Sequence, residues 1–231
     1  MAKAPEAGRT KTRLCPPLTP QQAADLYAAC ARDVIENALA LASAETFVAV
    51  TPPEGRDYFE RAAPGVAVLP VEGATIGRCL DAALTELLAR GHPCAAAVSS
   101  DSPDLWPEVM ARGIELLNES DVVFGPSHDG GYYFVGLKSP AYELFSDEIA
   151  WSTEAVLAQS LARAEAAGLS VGLLPDLVTD VDTAADLARL ASSLPAAPPH
   201  RARHTRAALR RLAEAGVALP GPDVAPSRVR E

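Results

Sequence analysis

The chain has few of the features that mark secreted, zinc-bound or membrane proteins. Its four cysteines, at positions 15, 30, 79 and 94, include no CxxC pair and have no histidine at zinc-finger spacing. That argues against a disulfide framework or a structural zinc site, and the thiols read as free, as in a reducing cytosol. No charged start leads into an apolar run with a small-residue cleavage site, and no stretch approaches the roughly 20 apolar residues of a membrane span. A soluble, cytoplasmic protein without a membrane partner is expected. Basic residues are in deficit, 20 Lys and Arg against 30 Asp and Glu for a net charge of −10. The resulting field repels a polyphosphate surface, which argues against nucleic acid as a partner. A small phosphorylated ligand stays open, because a local basic loop can override the distant field. There is no internal repeat.

What is present is a chain of 231 residues, 48% hydrophobic, enough for one domain with a full core. Thr19-Pro20-Gln21-Gln22 reads as a helix start, with Thr19 as cap, Pro20 at the first helical position and Gln22 closing a capping box. Helices are expected over 20–42, 56–62, 76–90, 103–118, 153–167 and 183–192, with Gly91 as a left-handed stop. Strands are expected over 46–51, 66–69, 94–99, 121–124, 132–137 and 171–174. The apolar 94–99 segment is expected at the centre of the sheet, buried on both faces. Strands separated by helices imply an α/β fold of three layers with a mostly parallel sheet. From about residue 195 the composition turns to Pro and Arg, and residues 195–231 read as an appendage to a domain of 1–194. Between His200 and Glu231 this appendage carries seven arginines against three acids. It reads as a solvated tail or as a latch onto the acidic body.

Four segments carry chemistry. In Ala4-Pro5-Glu6-Ala7-Gly8-Arg9-Thr10-Lys11-Thr12-Arg13-Leu14, Gly8 permits close backbone approach while Arg9, Lys11 and Arg13 can neutralise a diphosphate or triphosphate. The spacing is not that of a Walker loop. In a doubly wound fold a phosphate loop follows the first strand, yet here it begins at the third residue. The expectation is either a late chain start or a sheet without its usual central strand. In Ser99-Ser100-Asp101-Ser102-Pro103-Asp104, Asp101 lies beyond the carboxyl end of a strand, where a carboxylate can hold Mg²⁺ against phosphate oxygens. Ser102 and Asp104 read equally as caps of the next helix.

In Gly125-Pro126-Ser127-His128-Asp129-Gly130-Gly131-Tyr132, the paired glycines let backbone amides reach a substrate, and Asp129 can orient an acceptor hydroxyl or act as a base. A tight hairpin explains the same residues, and His128 reads as an exposed turn residue. In Asp180-Val181-Asp182-Thr183, alternation puts both acids on one side, and either can complete the metal site begun by Asp101. The competing role for Asp182 or Thr183 is to cap the following helix.

Taken together, AKAPEAGRTKTRL, SDSPDL, GPSHDGGYYFVGL, AWST and DVDTAADL, in this order, resemble the DUF2064 family of GT-A-like transferases. Members are often described as glycosyltransferases of arsenosugar biosynthesis. More distantly, the segments are similar to 2-phospho-lactate guanylyltransferase and to sugar nucleotidyltransferases. The resemblance covers Met1 to Leu194 and implies a nucleotide-diphospho-sugar transferase fold. It assigns Gly8, Arg9, Lys11 and Arg13 to nucleotide phosphates, Asp101 and Asp182 to one Mg²⁺ or Mn²⁺ ion, and Asp129, Gly130 and Gly131 to the acceptor or sugar. Asp101 and Asp129 are then the catalytic candidates. Trp151, Ser152 and Thr153 match a family segment without an assignable role.

The implied activity is sugar transfer from a nucleotide-sugar to a small-molecule acceptor. Nucleotidyl transfer from a nucleoside triphosphate to a phosphorylated small molecule is the alternative. A third reading is a non-catalytic nucleotide-binding protein.

Overall fold

The computed structural model describes residues 1–178 and 180–218. Helix α1 (Pro20–Leu39) starts as its sequence dictates: Thr19 accepts from the Gln22 amide, Gln22 reaches back to the Thr19 amide, and Pro20 sits in the first turn. After it come β1 (Phe47–Val50), α2 (Arg56–Ala62), β2 (Ala67–Pro70) and α3 (Ile76–Ala89). Gly91, at φ 95°, ends the last of these in the left-handed conformation. The chain continues through β3 (Ala95–Val98), α4 (Pro107–Leu116), β4 (Val122–Pro126), β5 (Tyr132–Leu137), α5 (Val156–Ala166), β6 (Val171–Leu173), α6 (Ala184–Ser193) and α7 (Arg203–Glu214).

β1 and β2 form one parallel pair, and a second sheet has the order β3-β5-β4-β6. In it β4 and β6 are parallel while β5 runs against both β3 and β4. Period-two alternation sorts the core into two layers. Val122, Phe124, Val135 and Leu137 pack with Leu80 and Leu84 of α3 and Ala164 of α5. Val123 and Phe134 pack with Val34 of α1 and with Val109 and Met110 of α4 on the other face.

Two expectations change here. The 95–98 strand is not central but stands at the edge of the four-stranded sheet, and only Ala95 of its residues is fully buried. Among the described residues, Met1 and Ala2 lie beside it. Ala2 bridges to Val50 in parallel, and the Met1 amino group donates to the Val98 carbonyl at 2.8 Å. The chain after residue 195 is also no solvated tail as far as Ala218. Ala202, Ala208 and Leu212 are buried in one cluster with Leu26 and Cys30 of α1 and Leu187 and Leu190 of α6. α7 is locked to α1 by ion pairs and caps: Asp33 accepts from the His204 and Thr205 amides at 3.0 and 2.7 Å, and Arg203 pairs with Glu36 at 2.8 Å. The latch reading holds for this part, and Arg228 and Arg230 lie outside the described residues.

Candidate active site

The basic loop folds back across the ends of β1 and β3. Its shape comes from Thr10, buried, whose hydroxyl accepts from the Glu6 amide at 3.0 Å and donates to the Ala4 carbonyl at 3.2 Å. Tyr27 of α1 props the loop from below, accepting from the Lys3 amide at 3.0 Å and sharing a 2.8 Å hydrogen bond with Ser100. Gly8 turns at φ 79°. Lys11 itself holds a left-handed φ of 52°, an uncommon conformation for a side-chain-bearing residue.

That conformation aims the Lys11 ammonium between two carboxylates. It pairs with Asp101 and, at 2.5 Å, with Asp182, and Arg13 closes the group from outside on the other oxygen of Asp182. Burial alone would lower the lysine, but the charges of Asp101 and Asp182 override it and hold the ammonium well above the ordinary lysine range. Asp182 is likewise pushed up by burial and pulled lower still by Lys11 and Arg13, ending below the usual carboxylate value. Lys11 and Arg13 of the basic loop thus form one cluster with Asp101 and Asp182, the two acids that the sequence reading assigned to one metal ion.

The caps fall as follows. Thr183 caps α6, in a reciprocal capping box with Asp186, which leaves the Asp182 side chain free for the cluster. Neither Ser102 nor Asp104 caps α4, which begins at Pro107 without a side-chain cap. Ser102 instead is buried and, with Ser99, donates to Asp180. Burial, and after it the charge of Asp101, raises Asp180 to about 7 against the lowering effect of those two hydroxyls. Asp104 is raised to about 6 by burial, and its Oδ1 has no hydrogen-bond partner among the described residues.

The remaining predicted residues lie at the margins. Arg9 is exposed and pairs with Glu6 at 3.1 Å, yet it lines a cavity of about 310 Å³ with Lys3, Lys11, Tyr27 and Asp101. Asp129 forms part of the β4–β5 turn, its Oδ1 accepting from Ser127 at 2.5 Å and from the Gly131 amide at 3.0 Å. It shares a second cavity of about 170 Å³ with Arg13, Asp180 and Asp182. Gly130, at φ 83°, packs against the backbone of Glu154, where a Cβ would overlap the carbonyl, so its requirement for glycine comes from the fold. His128 is exposed in the turn. Trp151 packs against Gly77 and donates to the Ser146 carbonyl at 3.1 Å, a packing role.

Tyr27, Thr10 and Ser99 are the members that sequence reasoning did not assign to the site, while Asp180, offered with Asp182 as a metal ligand, accepts from Ser99 and Ser102.

A tight Asp33–Glu36–His204 group stands elsewhere, between α1 and α7. Asp33 is engaged by backbone amides and Glu36 by Arg203, so it serves the interlock of the two helices.

A three-layer α/β sheet with acidic and basic residues gathered at its loop edge defines a protein of the nucleotide-diphospho-sugar transferase fold. The chain belongs to the family described as "Uncharacterized protein conserved in bacteria (DUF2064)", whose model matches residues 34–153. Its structure is similar to that of a provisionally assigned nucleotide-diphospho-sugar transferase from Desulfovibrio desulfuricans G20. The match covers 92% of this chain and 93% of the other, at 28% identity and TM-score 0.82. A cytidylyltransferase from Leptospira borgpetersenii serovar Hardjo-bovis shares the fold over 85% and 87% of the two chains, at 10% identity and TM-score 0.54. CMP:2-keto-3-deoxy-manno-octonic acid synthetase does so over 84% and 96%, at 15% identity and TM-score 0.53. No curated protein matches the chain in sequence. Among the described residues no helix is long and apolar enough to cross a membrane.

Proposed function

We propose that the protein is a nucleotide-dependent transferase that moves a sugar from a nucleotide-activated donor to a hydroxyl of a small acceptor. The observation that carries this reading is the pairing of Lys11 and Arg13 with Asp101 and Asp182. Two cations matched to two carboxylates form the charge complement of a divalent cation bound to a diphosphate. Lysine and arginine can pass to phosphate oxygens while the acids pass to the metal, so the exchange leaves little net charge buried. The likeness to the Desulfovibrio protein supports the same class of donor.

A divalent ion fits the donor set, because Asp101 and Asp182 offer hard carboxylate oxygens that already converge on one cationic atom. Mg²⁺ or Mn²⁺ held there would neutralise charge on the departing diphosphate. Lys11 and Arg13, with Lys3 and Arg9 on the rim, bind the phosphates, and the Gly8 turn lets the backbone approach them. Asp129 lines the smaller cavity together with Asp182, where it can orient the acceptor and take its proton as the new bond to the anomeric carbon forms and the bond to the diphosphate breaks.

Nucleotidyl transfer is the second reading, favoured by the Lys3, Arg9 and Lys11 side chains that line one cavity and suit a triphosphate. Thermal stabilisation by a panel of sugar nucleotides and nucleoside triphosphates, with and without Mg²⁺ or Mn²⁺, tests both. Release of nucleoside diphosphate from a sugar nucleotide supports sugar transfer, and release of pyrophosphate from a triphosphate supports the other. Failure of every nucleotide to bind would overturn both.

A further inference from the structure

Ala150-Trp151-Ser152-Thr153 joins two parts of the chain that border different cavities of the site. On one side it meets the first turn of α3. The Trp151 ring covers Gly77 so closely that a Cβ there would overlap it, and Asp147 accepts from the Arg78 guanidinium at 2.9 Å and from the Thr75 hydroxyl at 3.3 Å. Ile76 is thus held by its neighbours on both sides. It is a large apolar residue left 40% exposed, and it lines the cavity of about 310 Å³ with Lys11 and Asp101. On the other side the segment meets the β4–β5 turn. Gly130 sits against the Glu154 backbone, where a side chain has no room, and its carbonyl accepts from the Leu157 amide at 3.0 Å. Its neighbour Asp129 lines the cavity of about 170 Å³ with Arg13 and Asp182. Only Ser152 and Thr153 separate the contact with Gly77 from the contact with Gly130. The Thr153 hydroxyl donates to the Ala150 carbonyl at 2.6 Å and accepts from the Ala155 amide at 3.3 Å, while the Ala150 amide is held by Gln159 of α5 at 2.7 Å. Ser152 is left-handed, at φ 65°, with its side chain exposed. A residue bearing a Cβ keeps that conformation where the surrounding structure fixes it, and here the anchored ends of the turn do so.

We propose that this segment is a strut that sets two walls of the site against each other. Trp151 positions Ile76 through Gly77, and the Glu154 backbone positions Asp129 through Gly130. A short, hydrogen-bonded and closely packed segment transmits displacement instead of absorbing it, because protein interiors are barely compressible. Trp151 is therefore a positioning residue: releasing its ring frees the start of α3 and, through the same turn, the loop that carries Asp129. The proposal rests on the transferase reading for what the two cavities hold, while the coupling between the walls stands apart from it.

Amide hydrogen exchange in the full chain, without nucleotide, tests the strut. The Arg78 amide, bonded to the Thr75 hydroxyl, reports the start of α3. The Leu157 amide, bonded to Gly130, and the Ser127 amide, bonded to the Gly131 carbonyl at 3.1 Å, report the turn, and the amides of β4 report global opening. Asp147→Ala cuts the α3 anchor at the surface, and Trp151→Ala removes the ring. Each is expected to speed exchange at Leu157 and Ser127 by ~10-fold or more, together with Arg78, while β4 is unchanged. Trp151→Phe keeps a ring against Gly77 and should stay within ~3-fold of wild type at all three amides. Acceleration confined to Arg78 overturns the proposal and leaves Trp151 as packing alone, and so does acceleration spread equally to β4. Asp147→Ala carries the test by itself if Trp151→Ala does not fold. Because no nucleotide is present, failure of the strut is distinct from failure of the donor to bind.

Discussion

Lys11 reaches Asp182 across 171 positions of sequence, its ammonium 2.5 Å from Oδ1, while Arg13 takes the opposite oxygen of the same carboxylate. One acid is therefore shared by two cations of the same loop, and Lys11 in turn is shared with Asp101.

Removing the lysine should expose what it holds apart. In Lys11→Ala, Asp101 and Asp182 are left facing each other partly buried, a change expected to cost about 3 kcal/mol in chelator. Part of that loss should return on adding Mg²⁺, whereas the wild type should gain little without nucleotide. Denaturant unfolding with and without the ion checks this, and a variant indifferent to Mg²⁺ would count against a cation site at the two acids.

Neutralising either acid should remove turnover without unfolding the protein. Asp101→Asn and Asp182→Asn keep the shape and a hydrogen-bond acceptor for Lys11 but lose a hard anionic ligand. A fall of at least ~100-fold in kcat is expected for each, with the metal-dependent thermal shift abolished.

The buried Asp180 carboxyl sets a pH dependence. Its pKa is raised from an ordinary 3.8 to about 7, so the unfolded chain gives up this proton first. The stability it contributes is complete below pH ~4 and is lost as pH rises to about 7. Asp104, raised to about 6, acts in the same direction. In chelator, Asp180→Asn should flatten the decline of the unfolding free energy over this window, by an amount on the order of a few kcal/mol. An unchanged slope would show that the carboxyl is solvated.

The latch has its own test. Asp33 is buried and accepts two amides at the start of α7, so Asp33→Ala strands both donors at about 2 kcal/mol. Urea unfolding should register the loss, and exchange of amides in α7 should accelerate while those of β4 and β5 stay protected.

Gly77 should not tolerate a side chain. A Cβ there would overlap the Trp151 ring, so Gly77→Ala is expected to cost about 1–3 kcal/mol and to alter tryptophan fluorescence.

Much of this protein is decided locally and is legible in the chain. Thr19, Pro20 and Gln22 set the start of α1 whatever surrounds them, because a capping box closes within one turn, and Gly91 ends α3 because only its φ matters there. The apolar runs of β4 and β5 are legible as strands, and both faces of each are buried in the structure. The acids and the basic loop were visible as separate motifs. Contact between them was not, because Lys11 meets Asp101 and Asp182 only after the loop crosses the ends of β1 and β3. Tyr27, on a helix face that reads as plain core, gave no hint that its hydroxyl supports that loop. The Arg-rich C-terminal segment reads as a solvated tail by composition, yet its buried Ala208 and Leu212 and the acids of α1 hold it in the body as far as Ala218. An apolar strand such as 95–98 states that it will be covered, not by which neighbour. Sequence therefore determined the elements and the chemistry available to this protein, and tertiary packing alone decided their partners, because pairing across a sheet depends on distances that no local pattern encodes.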